Sequence, residues 1–342
     1  VRDTVGIKPL YLYHEKDSLY ASSEIKGLKA YSKVDKTISR QDIFEFFNTG
    51  FLYEPSTGFE NIKKLLPGHY LEIDLINGST LISEFCTLIN SNAASGLEKK
   101  IADSVEMQRL ADVPVGVFYS GGADSTLLAH FARDTDLLFA RYDEDVASNL
   151  DRKYAEAISR HLKSKLTTVK IEGSSEHTNE ILDSFYFVAD NTEELISDFT
   201  FWPTYLLSKS AHKSGFKVML SGMGGDEVFA GYPRYLVVKY HALIKLLAPG
   251  LKLLKFAALV PKNLGKKFDR LLSYIEEEDW GLGYSRLLGY FSRTELRSFF
   301  HEFDELNEIY KKKLNIIGDQ FAGADKVKKA QHFDTLGCLA HN

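Results

Sequence analysis

The chain has 342 residues, with 42 basic against 47 acidic side chains, a net charge of −5, and 44% hydrophobic and 26% charged residues. That mild acidity gives no basic field for non-specific DNA or RNA binding, and 8 Pro with 24 Gly argue against a disordered or collagen-like chain. The length favours two domains and is ample for a sizeable core.

In chain order, the first segment reads as β-rich. Leu10–Tyr13 and Leu19–Ala21 flank a turn-like His14–Ser18 and predict a hairpin. A short helix is expected over Arg40–Phe47. Gly68–Leu75 alternates as a half-buried strand does, and Asn77-Gly78 marks a turn into Thr80–Ile82. Asn90–Gly96 is small and polar and reads as a linker. This places a mostly antiparallel first domain at residues 1–86 and a second at 97–342.

The second part alternates. A helix carrying Leu97, Ile101, Val105 and Leu110 precedes an apolar strand, Val115–Tyr119. Helix Ser125–Arg133, strand Leu137–Tyr142, helix Tyr154–Leu162 and strand Leu166–Ile171 follow. A long helical stretch covers 176–212, a fourth strand is Val218–Ser221, and everything from about 233 onward reads helical. Strands separated by helices imply an α/β, doubly wound parallel sheet with a helical C-terminal part.

Cys86 and Cys338 are the only cysteines. They cannot form a disulfide framework, have no zinc spacing, and are expected as buried fillers in a reducing, cytoplasmic compartment. Tyr240–Val260 is interrupted by Lys245, Pro249, Lys252 and Lys255, so it is expected as an amphipathic helical region packed on the domain, not a membrane span. His161, His177 and His212 have no partner at ligand spacing. Glu276–Asp279 reads as a solvated helix end, Lys262–Lys267 as a charged loop, and Asp143-Glu144-Asp145 lies on the rim after the second strand.

The decisive segment is Ser120-Gly121-Gly122-Ala123-Asp124-Ser125, directly after a strand and before a helix. Adjacent glycines allow a tight turn and close backbone approach to a ligand. The following helix offers unpaired N–H groups and a positive dipole end to an anion. Ser120 and Ser125 add hydroxyls. Asp124 repels a phosphate unless Mg²⁺ bridges them. Five specified positions at about 5–7% usage each make a chance match on the order of one in a thousand.

Ser-Gly-Gly-x-Asp-Ser resembles the pyrophosphate loop of ATP pyrophosphatases. Asp112–Val117 before it, and Ser221–Tyr235 with its Ser221-Gly222-Met223-Gly224-Gly225-Asp226-Glu227, resemble the glutamine-hydrolysing asparagine synthetase family. Arg2–Tyr11 and Ala21–Leu28 are similar to the last third of that family's glutaminase domain. The resemblance implies an ATP pyrophosphatase-type sheet preceded by part of an α+β Ntn-type glutaminase domain. It implies ATP and Mg²⁺ as cofactors, with aspartate as the carboxylate, glutamine-derived ammonia as the nucleophile, and an aspartyl-AMP intermediate. Ser120, Gly121, Gly122, Asp124, Ser125, Ser221 and Gly222 would hold ATP and pyrophosphate. Asp124 and Asp226 would be catalytic and share the metal, and Phe139, Ala140, Arg141 and Tyr142 would lie near adenine. A homodimer is expected, without a nucleic-acid or membrane partner.

Four departures from the family pattern stand out. No cysteine lies near residue 1, where the glutaminase nucleophile and glutamine-binding residues are expected upstream. The chain stops at Asn342, before the family's Lys-x-Asp-Arg segment. It is therefore expected to be cut at both ends and not to hydrolyse glutamine by itself. Met223 stands where the family usually has an acid, which leaves open a relative that adenylates a different carboxylate, and the absent catalytic ends leave open a catalytically incomplete nucleotide-binding module. Thr4-Val5 replaces an Arg-Phe pair, a packing change.

Overall fold

A computed structural model describes residues 1–16, 18–31, 33–86, 95–142, 146–171, 178–198, 200–256, 261, 264–321, 323–337 and 339. The predicted linker 90–96 lies largely outside the described residues, as do Asp143-Glu144-Asp145, His177, Lys262 and Cys338. The chain clusters into two compact units, Val1–Asn90 with Glu193–Ser197 and Glu227–Asn342, and Ser91–Thr192 with Asp198–Asp226.

Strands β1 (Tyr11–Glu15) and β2 (Ser18–Ser22) form the predicted hairpin, with Tyr13 opposite Tyr20. Helices α1 (Ile25–Lys29) and α2 (Arg40–Thr49) follow. The Ser39 hydroxyl accepts from the N–H of Asp42 to start α2, and Gly50, at φ 86°, ends it. Strand β3 (Ile62–Lys64) completes an antiparallel sheet of order β2-β1-β3. Strands β4 (His69–Ile73) and β5 (Thr80–Glu84) pair around Gly78, whose φ is 71°. Their sheet has only these two strands and cannot bury a full face, so Ile73, Leu81 and Ile82 remain exposed despite the alternation.

The second unit starts with α3 (Leu97–Arg109), β6 (Val115–Phe118), α4 (Ala123–Phe131) and β7 (Asp136–Tyr142). It continues through α5 (Val146–Leu162), β8 (Leu166–Ile171), α6 (Thr178–Asn191), α7 (Phe201–Lys213) and β9 (Val218–Leu220). The four strands are all parallel, in the order β8-β7-β6-β9. Val117, Tyr119, Leu137, Phe139 and Leu220 form the core against α3, α4 and α5. Since the order turns back at β6, a crevice for a ligand is expected beyond the carboxyl ends of β6 and β9.

Two expectations shift. Helix α5 begins at Val146, eight residues ahead of Tyr154. The helical stretch 176–212 is two helices, α6 and α7, because the residues between them are bonded elsewhere. The Glu193 carboxylate accepts from the N–H groups of Ile25 and Lys26, Glu194 accepts from Tyr11 OH and Lys64, and Ser197 N–H donates to Gly50 O at 2.7 Å. Those partners all belong to the first unit, which holds Glu193–Ser197 extended.

The rest is helical: α8 (Gly225–Phe229), α9 (Pro233–Lys239), α10 (His241–Phe256), α11 (Gly265–Glu276), α12 (Trp280–Leu288), α13 (Arg293–Phe299), α14 (Phe303–Asp319) and α15 (Lys326–Leu336). In the first unit's main core, Phe44, Phe51 and Tyr53 pack with Tyr235, Tyr284, Phe303, Tyr310 and Phe333. Charges buried there are paired. Arg2 grips both Glu54 oxygens at 2.7 and 2.8 Å, Lys313 binds Glu45, and Asp334 accepts from Tyr235, Tyr284 and Arg234. Lys266 and Lys267 lie in the first turn of α11 instead of a loop. The acidic run is only partly solvated: Glu277 pairs with buried Arg286 at 3.1 Å, and Asp279 caps α12 by accepting from Leu282 N–H. Cys86 is half-buried. His161 and His212 are exposed. Among the described residues, no helix is long and apolar enough to cross a membrane.

Candidate functional site

The site is built where β6 enters α4. Tyr119 is 2% exposed and anchors the turn: its N–H donates to Leu138 O at 2.8 Å, and its hydroxyl lies 3.2 Å from Thr126 Oγ1. The backbone then reverses at Gly121, where φ is 81°, a conformation natural only to glycine. The Ser120 and Ser125 hydroxyls meet at 3.0 Å. Ser120 N–H donates to Ser125 Oγ, Ser125 Oγ donates to Gly122 O at 3.2 Å, and Gly122 N–H donates to Ser120 Oγ at 3.3 Å. Ser125 is buried, so its hydroxyl stiffens the loop, whereas Ser120 is exposed. Gly122 occupies the N-cap of α4 and supplies no side-chain cap. The first-turn N–H groups are thus left to an incoming anion.

The neighbouring strand brings a second loop. In the β6–β9 register, Val115 pairs with Val218 and Val117 with Leu220, so the two strands end side by side. After β9, Ser221 Oγ accepts from Met223 N–H at 3.2 Å, Gly224 takes φ 90°, and Gly225 N–H donates to Gly222 O at 3.3 Å. Glycine is required for contact between the loops. A Cβ on Gly222 would sit 2.9 Å from Ser125 N, and one on Gly225 would sit 2.4 Å from Asp124 Cγ. Asp226 follows in the first turn of α8.

Asp124, in the first turn of α4, is half-buried. Burial, and secondarily the charge of Asp226, hold its carboxyl above the usual carboxylate range. Asp226 is close enough to oppose the ionisation of Asp124. A hard divalent cation would relieve that opposition. Their oxygen-only donor set suits Mg²⁺, which takes one or two carboxylates, water and substrate phosphate. Among the described residues, no group of three or more His, Cys, Asp or Glu forms a fuller metal cage.

The fold therefore brings Ser120, Gly121, Gly122, Asp124, Ser125, Gly222 and Asp226 together, with Ser221 at the start of the second loop. Phe139 is not among them. It is 3% exposed and belongs to the hydrophobic core of β7. Ala140 and Arg141 are half-buried toward the end of β7, and Tyr142 is its last residue. Tyr119 and Gly225 were missed by sequence reasoning. The signal for Gly225 was the glycine immediately before an acid at a strand–helix junction.

The asparagine synthase family matches residues 96–342, and the glutamine amidotransferase domain family matches residues 1–83. The chain belongs to the asparagine synthase family. It is 28% identical over 278 residues to asparagine synthetase (glutamine-hydrolyzing) 1 of Bacillus subtilis, covering 78% of this chain and 43% of that protein. It is 28% identical over 249 residues to asparagine synthetase B of Escherichia coli, covering 68% of this chain and 40% of that protein. It is also similar to amidase chyE of Penicillium rubens, 26% identical over 263 residues, covering 68% of this chain and 38% of that protein. The chain spans less than half the length of these relatives. Both loops described above lie inside the asparagine synthase match.

Proposed function

We propose that this member of the asparagine synthase family is the working centre of an ATP-dependent ligase that forms an amide, with aspartate as carboxylate and glutamine-derived ammonia as nucleophile. In this reading residues 1–86 are the last part of an Ntn-type glutaminase domain. Residues 97–342 belong to a synthetase domain whose sheet is of the doubly wound ATP pyrophosphatase type. The protein acts in the cytoplasm as a homodimer.

The first-turn N–H groups of α4 and the Ser120 hydroxyl bind the β and γ phosphates and hold ATP still. The substrate carboxylate oxygen attacks the α phosphorus in line, the α–β bridging bond breaks, and pyrophosphate leaves with its charge offset by those donors. Ammonia then attacks the acyl carbon of aspartyl-AMP and AMP departs. Asp124 and Asp226 would hold Mg²⁺, which supplies charge neutralisation to the leaving phosphates. Ser221 and Gly222 border the nucleotide, whose adenine lies toward the end of β7, near Ala140, Arg141 and Tyr142. Phe139 supports that strand from within the core.

The observation that carries the reading is the pairing of two like-charged carboxylates across two anion-ready loops that meet through glycine. The test is pyrophosphate release from ATP, with ammonium chloride as nitrogen donor, by the polypeptide that carries this chain. Several carboxylates are compared, because Met223 is 53% exposed beside Gly222 and offers no charge to a substrate ammonium group. Aspartate-dependent release, lost in Asp226→Asn, supports the proposal. Release only with another acid overturns aspartate, and no release with any acid overturns the ligase.

A further inference from the structure

The chain's charge is unevenly distributed. Between Val228 and Phe268 there is no Asp or Glu, but there are eight basic residues: Arg234, Lys239, Lys245, Lys252, Lys255, Lys262, Lys266 and Lys267. With a net charge of −5 overall, the remainder carries −13. This basic stretch contains α9 and α10.

Helix α10 is apolar on two sides. Ile244, Ala248 and Leu251 pack inward against Leu272, Tyr274 and Ile275 of α11. Leu243, Leu246, Leu247, Leu253 and Leu254 recur at helical spacing on another face and are 43–76% exposed. Leu236 and Tyr240, at the end of α9, are also more than half exposed. Lys239 lies over the Tyr240 ring at 5.8 Å, and the exposed Lys245, Lys266 and Lys267 border the same elements. Lys252 is engaged by Glu276 at 2.8 Å.

We infer that α9 and α10 form a docking surface for an anionic lipid bilayer. A leucine face with long basic side chains beside it is what lies in a membrane interface, leucines entering the acyl boundary while lysines extend to the headgroups. The charge argues for that occupant. An isologous contact with a second copy would set one lysine-rich helix against another and repel. Among the described residues the leucine face offers no Trp or Asn, and its only hydrogen-bonding side chain besides lysine is Tyr240, at its edge. A specific protein interface relies on more such anchors. The surface lies across the membrane rather than through it, since α10 is 16 residues long and carries lysines. This proposal departs from the expectation of no membrane partner and does not depend on the ligase reading.

The test is co-sedimentation of the polypeptide that carries this chain with phosphatidylcholine vesicles, with and without phosphatidylglycerol, at low and high salt. Binding is expected only with the anionic lipid, falling steeply as salt screens the surface. Lys239→Glu/Lys245→Glu should reduce the partition constant by about 25-fold, from about fivefold for each of the two lysines removed. Leu246→Glu should reduce it similarly, while Lys239→Arg/Lys245→Arg retains it. These side chains face solvent, so thermal midpoints should be unchanged. A Leu246→Trp variant gives a second readout, with emission shifting to the blue only on anionic vesicles. Absence of binding, equal binding to neutral vesicles, or binding indifferent to the substitutions overturns the proposal. So does a dimer in light scattering that Leu246→Glu converts to a monomer.

Discussion

Gly225→Ala isolates the part of the site that handles charge. The new Cβ would meet Asp124 Cγ at 2.4 Å and its two oxygens at 2.6 and 2.8 Å, whereas ordinary contact begins at 3.4 Å. The carboxylate must move by about 1 Å, and it can, because it is a side chain at the half-buried start of α4. Folding should therefore be nearly intact, with a thermal midpoint within about 2 °C of the parent. Binding of Mg·ATP should suffer, since a displacement of about 1 Å in a reacting constellation costs on the order of a hundredfold, or ~2.7 kcal/mol. Gly222→Ala is the contrasting case. Its Cβ meets Ser125 N at 2.9 Å and Asp124 C at 3.2 Å, which are backbone atoms that cannot swing aside. It should lose both binding and stability. Isothermal titration of Mg·ATP and of Mg·pyrophosphate into each variant, with thermal unfolding in parallel, separates the two effects. Native affinity in Gly225→Ala would refute the assignment of Asp124 to the metal.

Further outcomes follow from the charges and caps. In ligand-free protein at neutral pH, Asp124→Asn should raise stability. Burial and Asp226 lift the folded carboxyl above its unfolded value, so its favourable contribution exists only at acid pH and is lost as pH rises through the lifted value. Denaturant titration at pH 4 and pH 7 should show the gain only at pH 7, and Mg·ATP should stabilise the parent but not the variant. Arg2→Met should cost about 3 kcal/mol, because it takes the bidentate partner from the Glu54 carboxylate, which is 2% exposed, and leaves it only the longer contact to Lys64 at 3.5 Å. The same denaturant titration reads it. Ser292→Ala should cost ~1 kcal/mol, since it breaks a reciprocal capping box with Glu295 at the start of α13. Hydrogen bonds from Ser292 hold the Glu295 carboxyl below its ordinary range, so that loss should shrink as pH falls through the carboxylate range.

The Ser120–Ser125 turn was legible because its form is local. Five specified positions among six consecutive residues set the turn, the helix start and the hydroxyls, and the apolar strand before them with the helix after them fixed the context. The parallel sheet was legible for the same reason: each strand is a short run rich in apolar or β-branched residues between helices. Aggregate burial was less so. The core of the first unit joins Phe44 and Tyr53 to Tyr284, Tyr310 and Phe333, more than two hundred residues away, and no local period encodes which amphipathic helix meets which. Phe139 was placed near adenine by the family resemblance, and strand periodicity could not refine that placement, because both faces of β7 are packed and Leu137, Leu138 and Phe139 are all buried.

The break between α6 and α7 could not have been read from propensity, because what ends the helix lies elsewhere in the chain. Glu193 and Glu194 would extend α6 without strain by their own preference. Instead Glu193 receives the N–H groups at the start of α1. Glu194 receives Tyr11 and the Lys64 ammonium, which is 1% exposed and also lies 3.5 Å from Glu54. Lys64 therefore has two carboxylates around it and Glu54 has two cations, a closed set in which no buried charge is left alone. Removing Glu194 would take one carboxylate from Lys64 and the acceptor from the Tyr11 hydroxyl. The segment would then lose what holds it extended, and the natural alternative is for α6 to run on by a further turn. Glu194→Ala should accordingly raise helical circular dichroism while lowering stability, a combination that an ordinary lost contact would not produce.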